Sequence, residues 1–293
     1  MIRILFFSFL LSSCLLFGQQ NSFFKKSDTL DIKKRKILLY SGLTAYGVSM
    51  VGLNQLWYAK YPKSTFHTVN DNQEWLQMDK IGHAMTSYYV GKIGMDLMNW
   101  SGESKKNQLI YGASLGFVFL TTVELMDGFS KQWGFSPGDM AANFTGTGFL
   151  VGQELLWNEQ RIIFKYSFHK TTFAKQNPDL LGSNFIEQSL KDYNGQTYWL
   201  SANIWSFNKN SKIPKWLNIA FGYGAEEMLH GNNIPKDNRY RQFYLALDID
   251  LSKIKTKSKF LQSVFKTINF IKIPAPAVSY STKNKFTFYG VYF

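Results

Sequence analysis

Arg161-Ile162-Ile163-Phe164-Lys165-Tyr166-Ser167-Phe168 is the stretch at which the chain changes its hydrophobic period. Upstream, apolar residues come in long blocks of helical length. From here on they alternate loosely with polar ones, among aromatic and β-branched residues. Tyr198 to Phe207, Leu217 to Ala225, Gln242 to Asp250 and Phe286 to Phe293 repeat the alternation, separated by Asn, Lys, Gly and Pro turns. Helices first and strands after define an α+β chain. The expected organisation is an N-terminal apolar helical bundle of about four helices, 37–158, followed by a small antiparallel β-rich region, 159–293.

One segment of the second region keeps helical spacing. Ser258 to Phe270 sets Phe260, Leu261, Val264, Phe265 and Ile268 opposite Lys257, Lys259 and Lys266. It reads either as an interfacial helix on an anionic surface or as an amphipathic helix packed on the sheet. The ending Phe288-Tyr289-Gly290-Val291-Tyr292-Phe293 has the aromatic character of outer-membrane barrel strands. Five or six strands, however, are fewer than the eight or so that a single-chain barrel needs, and an open sheet cannot span lipid with its edges unsatisfied.

Upstream of the switch, Ile37 to about Trp57 is apolar and interrupted by Gly42, Gly47 and Gly52. It is long enough to span a bilayer or to form a buried helix. Residues 58–78 are polar and irregular. Further helices are expected over Lys80–Asn99, Asn107–Met126 and from Ser136 to about Trp157. Ser136-Pro137-Gly138-Asp139 is a strong start signal, with Ser as N-cap, Pro at the first helical position and an acid in the first turn. Gly112 and Gly116, then Gly146, Gly148 and Gly152, form small-residue seams that let helix backbones approach.

The chain has 293 residues, of which 45% are hydrophobic and only 18% charged, a balance that argues for a large core or lipid contact and against disorder. Its net charge of +13 fits nucleic acid, an anionic membrane surface or acidic envelope polymers. The N-terminus decides among these. Met1-Ile2-Arg3 is a basic start, Ile4 to Phe17 is almost wholly apolar, and Gly18-Gln19-Gln20 follows. This is a secretory signal peptide over residues 1–18, which places the mature chain in the cell envelope, periplasmic or outer-membrane-associated, and removes nucleic acid as a partner. A membrane lipid or an anionic envelope component is expected instead. The only cysteine is Cys14. Leu11-Ser12-Ser13-Cys14 reads as a lipoprotein cleavage box or as ordinary apolar core, and the continuing Leu15-Leu16-Phe17 favours the second. Residues 19–36, ending in Lys33-Lys34-Arg35-Lys36, read as a polar, basic linker.

Chemistry concentrates in residues 79–143. Asp79 and His83, Glu124 and Asp127, and Asp139 and Asn143 are pairs spaced by three or four, so each pair shares one helix face. Carboxylates and His converging from facing helices can hold a divalent metal, with His83, Glu124, Asp127 and Asp139 as candidates. They can also perform acid/base work, with His83, Glu124 and Asp139 as catalytic groups and Asp79, Asp127 and Asn143 binding or orienting. Each residue has a plainer reading. Asp79 and Asp139 can cap helices, Glu124 and Asp127 can be solvated at a helix end, and His83 can be a satisfied core histidine. Asn143 is the hardest to dismiss, because it lies past the cap of an apolar helix.

Asp79-Lys80-Ile81-Gly82-His83, Glu124-Leu125-Met126-Asp127-Gly128 and Phe135-Ser136-Pro137-Gly138-Asp139 with Asn143 and Gly146 resemble the YfiM-like predicted periplasmic lipoprotein family over about residues 75–155. More distantly they are similar to VanZ-like membrane proteins, whose pattern has Gln where Asp127 stands here. The resemblance implies a helical envelope protein and no particular reaction. Phosphate-loop, Cys/His zinc and Gly-x-Ser-x-Gly motifs are absent from the sequence. Three functions fit these features. The first is a structural or assembly role in the envelope, at the outer membrane, with the aromatic C-terminal strands in support. The second is a hydrolase or transferase acting on a lipid or glycan precursor. The third is binding of an anionic envelope ligand by the basic residues from Lys253 to Lys272.

Overall fold

The computed structural model describes residues 25–232 and 238–292. The segment read as a signal peptide, with Cys14, lies outside the described residues, as does the final Phe293.

Helix α1 (Ile32–Leu53) starts five residues earlier than the apolar pattern implies, inside the stretch read as a linker. Asp31 supplies the reason: its carboxylate accepts the free backbone N–H groups of Lys33 and Lys34. Lys34 is buried, its ammonium donating to Ser27 Oγ (3.0 Å) and lying over the Trp100 ring. Beyond that first turn α1 is unburied, with Tyr40, Leu43, Val48 and Val51 all exposed by more than 60%. Its contacts to the other helices include Tyr46, whose ring meets Phe119 edge-on and whose hydroxyl bonds Thr122.

Helix α2 (Met78–Trp100) is the central rod. Helix α3 (Ser114–Gly128) is entered through a π-helical stretch, Gln108–Gly112, and helix α4 (Pro137–Trp157) is capped by Ser136, whose Oγ accepts from Asp139 N–H. Both cross α2 where glycine removes the side chain. A Cβ on Gly116 would sit 1.9 Å from Ser87 O, and one on Gly146 2.0 Å from Ala84 O. Gly148 and Gly152, read as part of the same seam, face open space. By length and composition, Ile32–Tyr58 and Lys105–Gly128 could each cross a membrane, the first with its apolar window unburied and the second partly buried.

The chain then enters β1 (Ile162–Phe168), passes a short helix α5 (Phe185–Lys191), and continues through β2 (Gln196–Asn203), β3 (Leu217–Glu226) and β4 (Tyr240–Ile249). Helix α6 (Lys259–Ile268) follows, then β5 (Ala275–Ser281) and β6 (Lys285–Tyr292). The strands form one antiparallel meander in chain order. The α+β reading therefore holds, with helices first and strands after.

The sheet curls strongly. Tyr292 on β6 stacks on Tyr244 of β4 at 4.6 Å and reaches Trp199 of β2 at 6.0 Å, four strands away, a distance possible only across a concave face. That inner face is polar and aromatic. The buried Asp248 lies 2.9 Å from Lys165 Nζ and 3.7 Å from Lys272 Nζ, and accepts from Ser201 Oγ at 2.6 Å. Lys272 is thus enclosed, so the basic run from Lys253 to Lys272 is not one ligand-facing surface. Helix α2 packs on the outer face of β1 and β2, where Met78, Met85 and Tyr88 meet Phe164 and Tyr198 in the main core.

Candidate functional site

The site forms where the N-terminal turns of α2 and α4 meet the C-terminal end of α3. The left-handed run Trp75–Gln77 turns the chain into α2, so Gln77 rather than Asp79 holds the N-cap position. Asp79 is left to point at His83 one turn on. Their closest atoms, Asp79 Oδ1 and His83 Nε2, are 3.8 Å apart. From α4, Asp139 Oδ1 approaches the same ring nitrogen to 3.9 Å. On the other side of the ring, Nδ1 lies 3.0 Å from Asn143 Oδ1 and 3.7 Å from Glu124 Oε1. Asn143 is fully buried, and its side-chain oxygen orients the imidazole so that Nε2 faces the two aspartates. Its amide Nδ2 has no acceptor among the described residues.

Glu124 is not solvated. It is buried at 1% exposure, and its Oε2 accepts the Ser136 N–H at 3.0 Å. Asp127 makes no ion pair with His83 among the described residues and accepts from Tyr58 OH at 2.8 Å. The spacing argument thus brings Asp79, His83, Glu124, Asp139 and Asn143 together and leaves Asp127 at the margin.

Three groups escaped the sequence reading. Lys80 reaches Asp71 Oδ1 (2.7 Å), Asp139 Oδ1 (2.9 Å) and Asp79 Oδ2 (3.4 Å). Asp71, in a stretch that reads as a polar turn, also accepts from Ser136 Oγ at 2.6 Å. Tyr193, from the β-rich half, donates to Asp79 Oδ1 at 2.7 Å. The adjacency Asp79-Lys80 was the only local signal for Lys80. Nothing near Tyr193 in sequence pointed to it.

The electrostatics are unbalanced. Asp71, Asp79, Glu124 and Asp139, with Asp127 at the margin, meet Lys80 and His83 as the cations among the described residues. Burial first, then the Asp79 charge, raises Asp139 from 3.8 to about 8. Burial raises Glu124 and Asp127 to about 7 each. Burial pulls His83 down, but Asp79, Asp139 and Glu124 outweigh it, and its pKa lies above the ordinary imidazole value. Burial alone would raise Asp79, but His83 and Lys80 hold it below the ordinary carboxylate range. Several proton-exchanging groups thus sit together near neutrality.

Asp79, His83 and Asp139 each offer one ligand atom within 4.8 Å of the others, so this trio could hold a divalent cation. It includes Asp79, which was expected to orient, and omits Glu124 and Asp127, which were expected to ligate.

The cluster opens into a cleft of about 1880 Å³. Along α2 the lining follows a helical stripe from Asp79 and His83 through Tyr89, Val90 and Ile93 to Trp100. Trp57, from the π-helical turn Asn54–Tyr58 that continues α1, and Phe119 and Val123 of α3 close it. At 1.5 Å per residue the stripe runs about 30 Å, with the polar cluster at one end and beyond it a mixed wall, in which Lys92, Asp96 and Asn99 alternate with the apolar residues.

A family model described as "Predicted periplasmic lipoprotein (DUF2279)" matches residues 69–153, under a third of the chain. The match spans the site from the loop after α1 to near the end of α4, and it places the protein in the cell envelope, periplasmic or outer-membrane-associated. No curated protein and no solved structure matches the chain.

Proposed function

We propose that this envelope protein is a hydrolase or transferase acting on a lipid-linked envelope precursor. One observation carries the reading. His83, oriented by Asn143 at Nδ1, presents Nε2 between Asp79 and Asp139 at the head of a long cleft whose lining includes Tyr89, Val90, Ile93, Phe119 and Val123. An acyl or polyprenyl chain fits the cleft, and the bond to be broken then lies at the cluster. His83 Nε2 takes the proton of the attacking water or acceptor hydroxyl while its oxygen bonds to the electrophilic centre. The leaving oxygen departs with its bonding pair and takes the proton of the Asp139 carboxyl. Asp79 stabilises the imidazolium, and Lys80 positions both aspartates. The likeness to YfiM-like and VanZ-like proteins is carried by these same residues and belongs to this proposal.

The test is turnover by the purified full chain of two probes, a phospholipid and a polyprenyl-diphosphate-linked sugar. Wild type is expected to release product from one of them, and His83→Ala and Asp139→Asn to lose at least about a hundredfold. Equal activity of His83→Ala and wild type would overturn the reading.

A structural role has its own supporting observation. Lys80 ties Asp71, Asp79 and Asp139, three separate segments, into one knot. On that reading neither probe is turned over, and both variants lose stability instead.

A further inference from the structure

The outer face of the sheet is apolar where the helices leave it uncovered. Cross-strand register puts Leu200, Phe221, Leu245, Val278 and Phe288 in one continuous row over β2 to β6. Their exposures run from 39% to 72%. A second row beside it is aromatic: Tyr223, Phe243, Tyr280 and Phe286. Ile219 and Leu247 continue the band on the other side. The concave face carries the buried Asp248, Lys165, Ser279 and Ser281. A sheet of a soluble protein buries its apolar face and wets its polar one. Here the order is reversed, as in walls that face lipid.

The end of the sheet next to Ile219 and Leu247 adds a second, different signal. There the β2–β3 connection exposes Lys209, Lys212 and Lys215 beside Phe207 and Trp216. At the same end α6 exposes Phe260 and Leu261 at 75% and 39%, with Lys257 and Lys266 also exposed. An apolar band bordered by aromatic rings and lysines is the sequence of layers met on entering an anionic bilayer. Four residues separate Phe243 from Leu247, so the band is about 14 Å tall, close to half of a hydrocarbon core of about 30 Å. The outer edge of β6 has no strand paired to it among the described residues, and such an edge is not tolerated across a whole bilayer.

We propose that the convex face of β2–β6 seats one leaflet deep in an anionic envelope membrane, with α6 and the β2–β3 connection at the headgroups. The sheet band is separate from the cleft, which α6 borders through Lys266 and Thr267, and the proposal does not depend on the reaction proposed for the cleft.

The test is site-resolved, so that other membrane contacts of the chain cannot mimic it. Nitroxide labels are placed at Leu245→Cys, Phe288→Cys and Lys212→Cys in the full chain carrying Cys14→Ser. The protein is bound to vesicles of phosphatidylethanolamine with about a third phosphatidylglycerol. Collision with oxygen and with a water-soluble nickel chelate is then measured. At Leu245 and Phe288 the chelate is expected to collide at least about fivefold less often than at Lys212, with oxygen collisions raised. Chelate access at Leu245 and Phe288 equal to that at Lys212 would show the face in water and overturn the proposal. Exclusion of both reagents would show it covered by protein, a second copy or another partner, and would overturn it equally. Two labelled positions, one on the edge strand, guard against a substitution that disturbs the sheet.

Discussion

Asp139→Asn separates the site's chemistry from its packing. Burial, and then Asp79, carries the Asp139 carboxyl from 3.8 to about 8 in the folded chain. Between those values the folded protein holds a proton that the unfolded chain has released. Stability therefore falls as pH rises through this window. For an isolated group the slope is about 1.4 kcal/mol per pH unit. Asp79 and His83 share the charge, so about half of that slope is assigned to Asp139 itself. Asparagine keeps the shape and leaves the backbone N–H that Ser136 Oγ accepts, but it cannot ionise. Between about pH 5.5 and 7.5 the wild type should lose about 1.4 kcal/mol relative to the variant, which separates their melting temperatures by a further 3–6 °C or so. His83, whose pKa is also raised, bends both curves downward above its ordinary value, and Asp79, whose pKa is lowered, acts only at the acidic end. The assay is thermal unfolding of the full chain at closely spaced pH values. Parallel curves for the two proteins would mean that Asp139 does not ionise near neutrality, and the proposed general acid would be lost.

Two further predictions rest on packing. Gly116→Ala and Gly146→Ala push a methyl onto backbone oxygens of α2, so each should cost more than about 3 kcal/mol, whereas Gly148→Ala, with nothing within 4 Å of the new atom, should stabilise by about 0.5–1 kcal/mol. Thermal melting of the three variants checks this, and similar melting temperatures for all would contradict the crossing geometry. Asp248→Asn leaves Lys165 and Lys272 enclosed without their counter-charge and should cost about 3–5 kcal/mol in urea unfolding. A loss below about 1 kcal/mol would mean that water reaches the inner face of the sheet.

The change of period at Arg161 was enough to divide helices from strands, because strand alternation and helix caps are local signals. Ser136-Pro137 marked the start of α4 for the same reason. β5 was illegible because Pro276 sits inside it, and proline argues against a strand. The structure places Pro276 at a register shift between Ala275 and Ala277, where the ladder does not need its missing N–H. The start of α1 was missed because Lys33 to Lys36 look like a solvated run. Asp31 caps them into a helix, and Lys34 is covered through contacts with Ser27 and Trp100. In the site, helix spacing located the groups that helices supply. Asp71 and Tyr193 come from a loop and from the far half of the chain, so only tertiary structure brings them in.

The two buried charge networks of this protein differ in a way that bears on what each is for. In the sheet, one carboxylate meets two lysines whose ammonium groups also donate to carbonyls, Lys165 to Ile249 and Lys272 to Leu247 and Ile273. Every group there has a partner, which is what a network held for folding requires. In the helical site, carboxyl groups outnumber cations and several titrate near neutrality. Asn143 keeps a buried donor with no acceptor among the described residues. Selection for stability alone would remove such an excess, since replacing a buried acid by its amide is nearly cost-free in shape. On the function proposed above, the excess is where a cation, a proton or a ligand's polar group enters the cluster. The cleft along α2 gives such a group its way in.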